Sequence, residues 1–451
     1  MGITSHTQRA RRHVGTPVFK LFWSLRWSWQ NIDFSFRGSC TSCQNAHLSH
    51  THKIGLAESR MTLIDANVTG LVSSAALAIM PVSAIPETLS KASSYPDCAD
   101  TFMQHYYVFD SVGNDAFALE MQLKALVHRR HFLAESPANP TVRLLALMAP
   151  GGRMVNTPLE FIAHGNHIRL DQWFVVPGEP VPADVPDHDI AILAYSDAED
   201  AQSLLLLFEG LASDWPRPLL NHPAKIQRCT RDALYQALAD VPGLVVPRTV
   251  RVSREDLPAA FPLPFPAIIR PVGTHAGAGL EKLSDLAELE AYLAIHPEVA
   301  FFVSEYFDYR DDDGHFRKLR VAMIEGVPYV CHVAIGDDWV VHYQTAGMDQ
   351  SEWKRNEEEQ VMSSFDDSFA CRHKDAFAAI AVCLDLDYVV LDCAELPDGR
   401  FLLFEADTGG WVHATDSPDV FPYKCPIMQK LFTAFRDMLV SRSVQSVEAL
   451  A

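Results

Sequence analysis

The chain has 451 residues, of which 48% are hydrophobic and 21% charged, and it carries a formal charge of −20 at neutral pH. Such a length and composition give room for two or three compact domains with a sizeable core. The acidic balance excludes a general nucleic-acid binder, which needs a basic footprint, and no apolar run approaches the roughly 18 residues of a membrane-spanning helix.

The charge is unevenly spread. The first sixty residues hold eight lysines and arginines against two acids, a net of +6, which leaves −26 for the remainder. They also contain "FWSLRWSWQNIDFSFRG", aromatic without helical or strand periodicity, so the segment reads as a targeting leader or as an over-extended start with translation from Met61. Within it, "CTSCQNAHLSHTH" offers Cys40, Cys43, His47, His50 and His52, ligand types suited to zinc. Their spacing is far shorter than that of a zinc finger, and a disordered tail is the expectation for residues 1–60. The nine cysteines of the chain are scattered, mostly in apolar contexts such as "AVCLDL", which predicts buried thiols in a reducing, cytoplasmic compartment.

Residues 61 to about 140 read as a helical lead-in without evident chemistry. In "DAFALEMQLKALVHRRHFL" the residues Phe117, Leu119, Met121, Leu123, Leu126 and Val127 recur near a 3.6-residue period. Over 141–222, "TVRLLALMAPGG" and "PDHDIAILAYS" read as buried strands and "DAEDAQSLLLLFEGLAS" as a helix, a small parallel α/β unit. Next, "FPAIIRPVGTHAGAGLEKLSDLAELEAYLA" reads as strand, glycine-rich loop, strand and helix. The segments "AFFVSEYFDYR", "RKLRVAMIEGVPYVCHVAI" and "DDWVVHYQT" read as strands joined by turns. A helix over "CRHKDAFAAIAVCLDL", the hairpin "YVVLDCAELPDGRFLLFEADTGG" and a closing helix near 424–441 complete the chain.

Three features carry chemistry. Strand alternation points Glu405 and Asp407 the same way, and the Pro-Asp-Gly turn of the hairpin can bring Asp392 beside them. Unpaired acids in an apolar setting repel and resist ionisation. For Asp392 alone a core arginine, with another acid capping a turn, answers that; for all three acids on one hairpin a hard divalent cation with oxygen ligands is the favoured answer. Arg270 closes a buried strand ahead of Gly273, Gly277 and Gly279, whose backbone N–H groups can converge on phosphate oxygens, although a plain hairpin turn explains the glycines as well. In "HFRKLRV", Arg317, Lys318 and Arg320 lie together, and alternation gives Lys318 and Arg320 one face of an otherwise apolar strand. There they need anionic partners, either these acids or a phosphorylated intermediate.

From about residue 141 to 440 this order of motifs resembles the ATP-grasp superfamily, carboxylate–amine ligases of the glutathione-synthetase and ribosomal-protein glutamate-ligase type. The resemblance rests on "LLNHPAKIQRCTRD…VPRTV", "FPAIIRPVGTHAGAGL", "RKLRVAMIEGVPY" and "FLLFEADTGG". It implies an α+β fold in which two α+β subdomains, 223–300 and 301–445, grip ATP behind the α/β unit and the helical region. It implies magnesium (or manganese) on Asp392, Glu405 and Asp407, ATP phosphates on Arg270 and Lys318 under the loop of Gly273, Gly277 and Gly279, and adenine at Glu305 and Phe307. Arg320, with Arg317 beside it, takes the catalytic role. An earlier phosphate-binding lysine has no clear counterpart near "CTRD", where Lys225 and Arg231 are the two candidates. Three positions depart from the family pattern: Asp407 stands where Asn is usual, Arg270 where Lys is usual, and Lys318 where an acid is often found.

The activity implied is an ATP- and magnesium-dependent ligation of a carboxylate to an amine through an acylphosphate. A nucleotide-binding scaffold and an ATP-dependent phosphotransferase are the alternatives. The partners expected are small-molecule or peptide carboxylates and amines and a second copy of the chain in a homodimer, without nucleic acid or membrane. Trp339, His342, Trp411 and His413 fall near the expected site, where packed aromatics and satisfied histidines are the ordinary outcome.

Overall fold

The computed structural model describes residues 72–80, 84–93, 98–152, 155–181, 183–196, 202–257, 259–274 and 277–450. The basic aromatic segment and the Cys/His cluster at 40–52 lie outside them. Among the described residues no helix is long and apolar enough to cross a membrane.

Helices Ser74–Ile79, Ile85–Ser93, Ala99–Ser111 and Asp115–His128 open the fold. The expected helical region therefore ends at 128, because the next residues form a strand, β1 (His131–Glu135), paired antiparallel to β3. Of the six residues named for the 3.6-residue period in the last of these helices, only Met121 and Leu126 are buried. Ala118, Met121, Gln122, Ala125 and Leu126 are its buried side, whereas Phe117, Leu119, Leu123 and Val127 are exposed.

Strands β2 (Val142–Met148), β3 (Ile168–Phe174), β4 (Ile190–Leu193) and β5 (Leu219–Leu220) join β1 in a sheet of order β1-β3-β2-β4-β5, parallel except at β1. Both faces of β2 are buried, as a central parallel strand requires. Leu145 and Leu147 enter one apolar cluster, and Leu144, Ala146 and Met148 another.

Strand β6 (Leu244–Val245) leads into a four-stranded antiparallel sheet of β7 (Thr249–Ser253), β8 (Ala267–Pro271), β9 (Glu281–Leu283) and β10 (Ala300–Glu305), in the order β7-β10-β8-β9. Its own core is closed by helix Leu286–Ile295, whose first N–H groups are capped by the Asp285 carboxylate. Alternation along β8 gives Ala267 and Ile269 to that core and turns Arg270 the other way.

The last sheet has the order β12-β11-β13-β14-β6, from β11 (Phe316–Ile324), β12 (Val327–Gly336), β13 (Tyr388–Glu395) and β14 (Phe401–Asp407), all antiparallel except where β6 pairs with β14. Leu319, Val321 and Met323 of β11, Leu391 and Cys393 of β13 and Leu403 of β14 share one face, in a cluster with Met362 and Phe377. Helices Glu352–Ser363 and Lys374–Leu384 supply those last two residues, and helix Lys424–Leu450 closes the chain. Helix Glu352–Ser363 carries no sequence signal used above: its run of charges hides Lys354 and Glu358, which are buried. The segment "DDWVVHYQT" is not a strand. The chain leaves β12 at Gly336, where a Cβ would lie 2.9 Å from Val341 Cγ2, and folds back. The described chain is thus an α/β unit followed by an antiparallel and a mixed sheet, each with its helices.

Candidate active site

Register builds the site. His332 of β12 pairs with Arg320 of β11, Arg320 with Asp392 of β13, and Asp392 with Glu405 of β14. Residues directly opposite in paired strands share a face, so a row of four polar side chains crosses the sheet. Lys318, two residues before Arg320 on β11, and Asp407, two residues after Glu405 on β14, flank it. The hairpin contains a register slip between Asp392 and Cys393, whose partners are Glu405 and Leu403, so that Phe404 is extra. Without that bulge, alternation from Phe401 and Leu403 would send Glu405 into the core.

Asp392 is buried at 3% exposure, and both its oxygens are engaged. Arg320 lies on it as a fork, Nε donating to Oδ1 at 2.8 Å and Nη2 to Oδ2 at 3.0 Å, while Lys318 Nζ donates to Oδ2 at 3.0 Å. Burial pushes the Asp392 carboxyl up, but Arg320 and Lys318 outweigh it and hold the group well below the usual carboxylate range. Arg320 Nη1 also donates to the Trp411 carbonyl at 3.2 Å. Glu405 accepts from Arg231, the first residue of helix Arg231–Leu238. Burial raises Glu405, yet the charge of Arg231 leaves it lowered overall, with Lys318 and Arg270 acting in the same direction. Asp407 Oδ1 accepts from the Gly409 N–H at 2.7 Å, inside the turn that follows β14.

Arg270 thus reaches the site electrostatically from the smaller sheet. It is 9% exposed and is steadied by Thr274, whose hydroxyl and carbonyl accept from the guanidinium. The glycine loop lies against the larger sheet's connection. Gly277 has φ +76°, and a Cβ there would fall 2.7 Å from His342 Nε2; Gly279 has φ +64° and would meet Pro271 Cδ at 2.6 Å. Both positions need glycine for conformation and for space. Gly273 has φ +77° in open surroundings.

Glu305 ends β10 with its carboxylate accepting from the Arg248 N–H at 3.1 Å, and Phe307 packs into the cluster of Tyr309 and Phe316. Between them, Tyr306 carries Lys282 Nζ 4.4 Å from its ring centroid and Trp339 edge-on at 5.9 Å. Arg317 is not brought to the site. Alternation sends it to the opposite face from Lys318 and Arg320, where it is bound by Asp311, Asp313 and Glu357. Of the two candidates for the earlier phosphate-binding residue, Arg231 joins the site, whereas Lys225 pairs with Asp385 at 2.8 Å.

Behind the row sits a buried network that no sequence signal announced. His332 is held neutral by burial and by the charges of Arg320 and Lys424, and Tyr343 covers its ring at 4.4 Å. Glu358, fully buried, accepts from Tyr343 Oη at 3.0 Å, Tyr423 Oη at 2.6 Å and the Val333 N–H at 3.0 Å, with Lys424 Nζ 3.4 Å away. Its partners lie 15 and 65 residues away, which is why the charged pattern of the helix conceals it. His413 packs on Phe161 and is likewise kept neutral by burial, as satisfied histidines are.

A magnesium ion shared by all three acids does not fit this donor set. Magnesium needs carboxylate oxygens at about 2.0–2.1 Å, and both oxygens of Asp392 are already held by cationic nitrogens. Among the described residues no group of three or more histidines, cysteines, aspartates or glutamates is arranged to hold a metal ion. The arginine-and-turn resolution of the acids is the one the side chains adopt.

No family model matches the chain, and comparison with curated proteins finds no match. Among solved structures the chain is similar to a D-alanine–D-alanine ligase from Bacillus anthracis complexed with ATP, at 13% identity and a TM-score of 0.40 over 68% of this chain and 99% of that one. It is similar to an ATP-grasp RimK domain protein from Sphaerobacter thermophilus (14%, 0.38, 66% and 99%) and to the VanG D-Ala:D-Ser ligase from Enterococcus faecalis (14%, 0.41, 68% and 99%).

Proposed function

We propose that the cleft between the four- and five-stranded sheets binds ATP and that the chain is an ATP-dependent carboxylate–amine ligase. What supports the reading is one arrangement: Lys318 and Arg320 pair with Asp392 on the larger sheet, Arg231 pairs with Glu405, and the charge of Arg270 on the smaller sheet helps to lower the Glu405 carboxyl. Opposed cations on two sheets make a clamp for a polyphosphate, and arginine forks suit its oxygens.

In this reading Arg270 holds the triphosphate and Arg320 faces the charge that develops on the transferred group. A substrate carboxylate oxygen attacks the γ-phosphorus, the bond to the β–γ bridging oxygen breaks, and ADP leaves. The acylphosphate is then attacked at its acyl carbon by a neutral amine; inorganic phosphate departs and the amine proton passes to solvent. The glycine loop, already against His342, excludes water from the acylphosphate. Tyr306, Trp339 and Lys282 offer the aromatic surface for the base.

The test is calorimetric titration of ATP into the full chain, comparing Arg270→Met with Arg317→Met, followed by phosphate release with pools of carboxylates and amines. The expected result is a loss of about tenfold or more in affinity for R270M and none for R317M. Absence of ATP binding, or equal losses in both variants, overturns the proposal.

A further inference from the structure

We propose that Lys318 and Arg320 take the place of a divalent cation at Asp392, so that the triphosphate is bound by the chain's own cations with no metal held by that carboxylate. The inference rests on reading the cleft as a nucleotide site and says how that site is charged.

Three observations carry it. The first is geometric: three cationic N–H donors lie within 3.0 Å of the two oxygens of Asp392, and the residue is 3% exposed. A metal ion at bonding distance would have to displace them and then sit beside two like charges that are only partly exposed to solvent. The second is how these cations are held. Arg320 is fixed at a third point by the Trp411 carbonyl, and neutral His332 backs it across β12. A guanidinium pinned in this way is not a mobile counter-ion that steps aside. The third is the balance of charge: Lys318 and Arg320 pair with Asp392 and Arg231 with Glu405, and the charge of Arg270 acts on Glu405 in the same direction, so these two acids are matched before any ion binds.

Asp392 is then a positioning residue. It holds an ammonium and a guanidinium side by side on β11, both with N–H donors to spare for phosphate oxygens. An acid at position 318 would reverse this. It would remove a cation, add a ligand next to Asp392 and Glu405, and recreate a group of carboxylates that needs a metal.

The experiment is calorimetry of ATP with the full chain in excess EDTA and in excess magnesium, for wild type, Lys318→Met and Lys318→Asp, together with manganese binding read by electron paramagnetic resonance without nucleotide. Melting temperatures confirm that each variant is folded. Wild-type affinity should differ by less than about threefold between the two conditions. K318M should lose about tenfold in EDTA and regain part of it with magnesium, and K318D should bind ATP only with metal and gain a manganese signal that wild type lacks. Loss of wild-type ATP binding in EDTA with full binding in magnesium overturns this inference and leaves the ligase reading intact. So does manganese binding by wild type that K318M does not change. No ATP binding in either condition overturns both.

Discussion

Arg320 and Asp392 face each other across β11 and β13, and the guanidinium lies as a two-pronged fork on the carboxylate, with contacts of 2.8 and 3.0 Å. Lys318 closes the third side. The pair belongs to the sheet's packing and, in the proposed function, to the charge of the nucleotide site, and the two roles respond to different substitutions.

For packing, the consequence of removing one partner is large. Asp392→Ala leaves two partly buried cations without their anion and should cost up to about 3–5 kcal/mol in denaturant unfolding. Replacing Lys318, Arg320 and Asp392 together by Met, Met and Leu should cost clearly less than the single change, because no charge is left unpaired. A triple variant as unstable as D392A would show that shape at this position, not charge, governs the loss.

At the glycine loop, Gly277→Ala places a methyl group 2.7 Å from His342 Nε2 at a residue with φ +76°. The left-handed backbone alone costs about 1 kcal/mol, and the contact adds to it. The expected result is weaker ATP binding in G277A, with part of the loss recovered in G277A/H342A, since removing the imidazole relieves the contact but not the backbone. If the double variant binds no better than G277A, the loop does not close on His342.

Glu160 gives a pH signature. It sits in a single turn, Glu160–Ala163, at 6% exposure, and burial pushes its carboxyl up to about 7 against an ordinary 4.5. The folded state therefore keeps a proton that the unfolded chain releases, so stability is fully present below pH about 4.5 and falls as pH rises through about 7. Thermal melts of Glu160→Gln should lack the part of the decline between those values that wild type shows. Parallel curves for the two proteins would remove Glu160 from the account.

Much of the architecture is written locally. "VRLLALM" and "YVVLDCAE" announce buried strands because nearly every residue is apolar, and the Pro-Asp-Gly turn joins β13 to β14 as its chemistry requires. The same-face placement of Lys318 with Arg320, and of Glu405 with Asp407, follows from a two-residue period. Where the reading failed, the deciding contact was distant. β1 exists because β3 offers it an edge. The lead-in helix buries Ala118 and Gln122 instead of Phe117 and Leu119 because of what lies over it. Arg317 is one residue from Lys318, and only the carboxylates waiting on each face separate their roles.

The sequence by itself determined which residue types meet in the cleft: three acids on one hairpin, two cations on the neighbouring strand and an arginine ahead of a glycine loop, all properties of short stretches with fixed periods. Tertiary structure alone decided how their charges are settled. The bulge at Phe404 turns Glu405 toward Asp392, the β11–β13 register sets Arg320 opposite it, and Arg231 arrives from 174 residues away to hold Glu405. Charge pairing depends on distances of a few ångströms between strands far apart in the chain, and no local pattern encodes those.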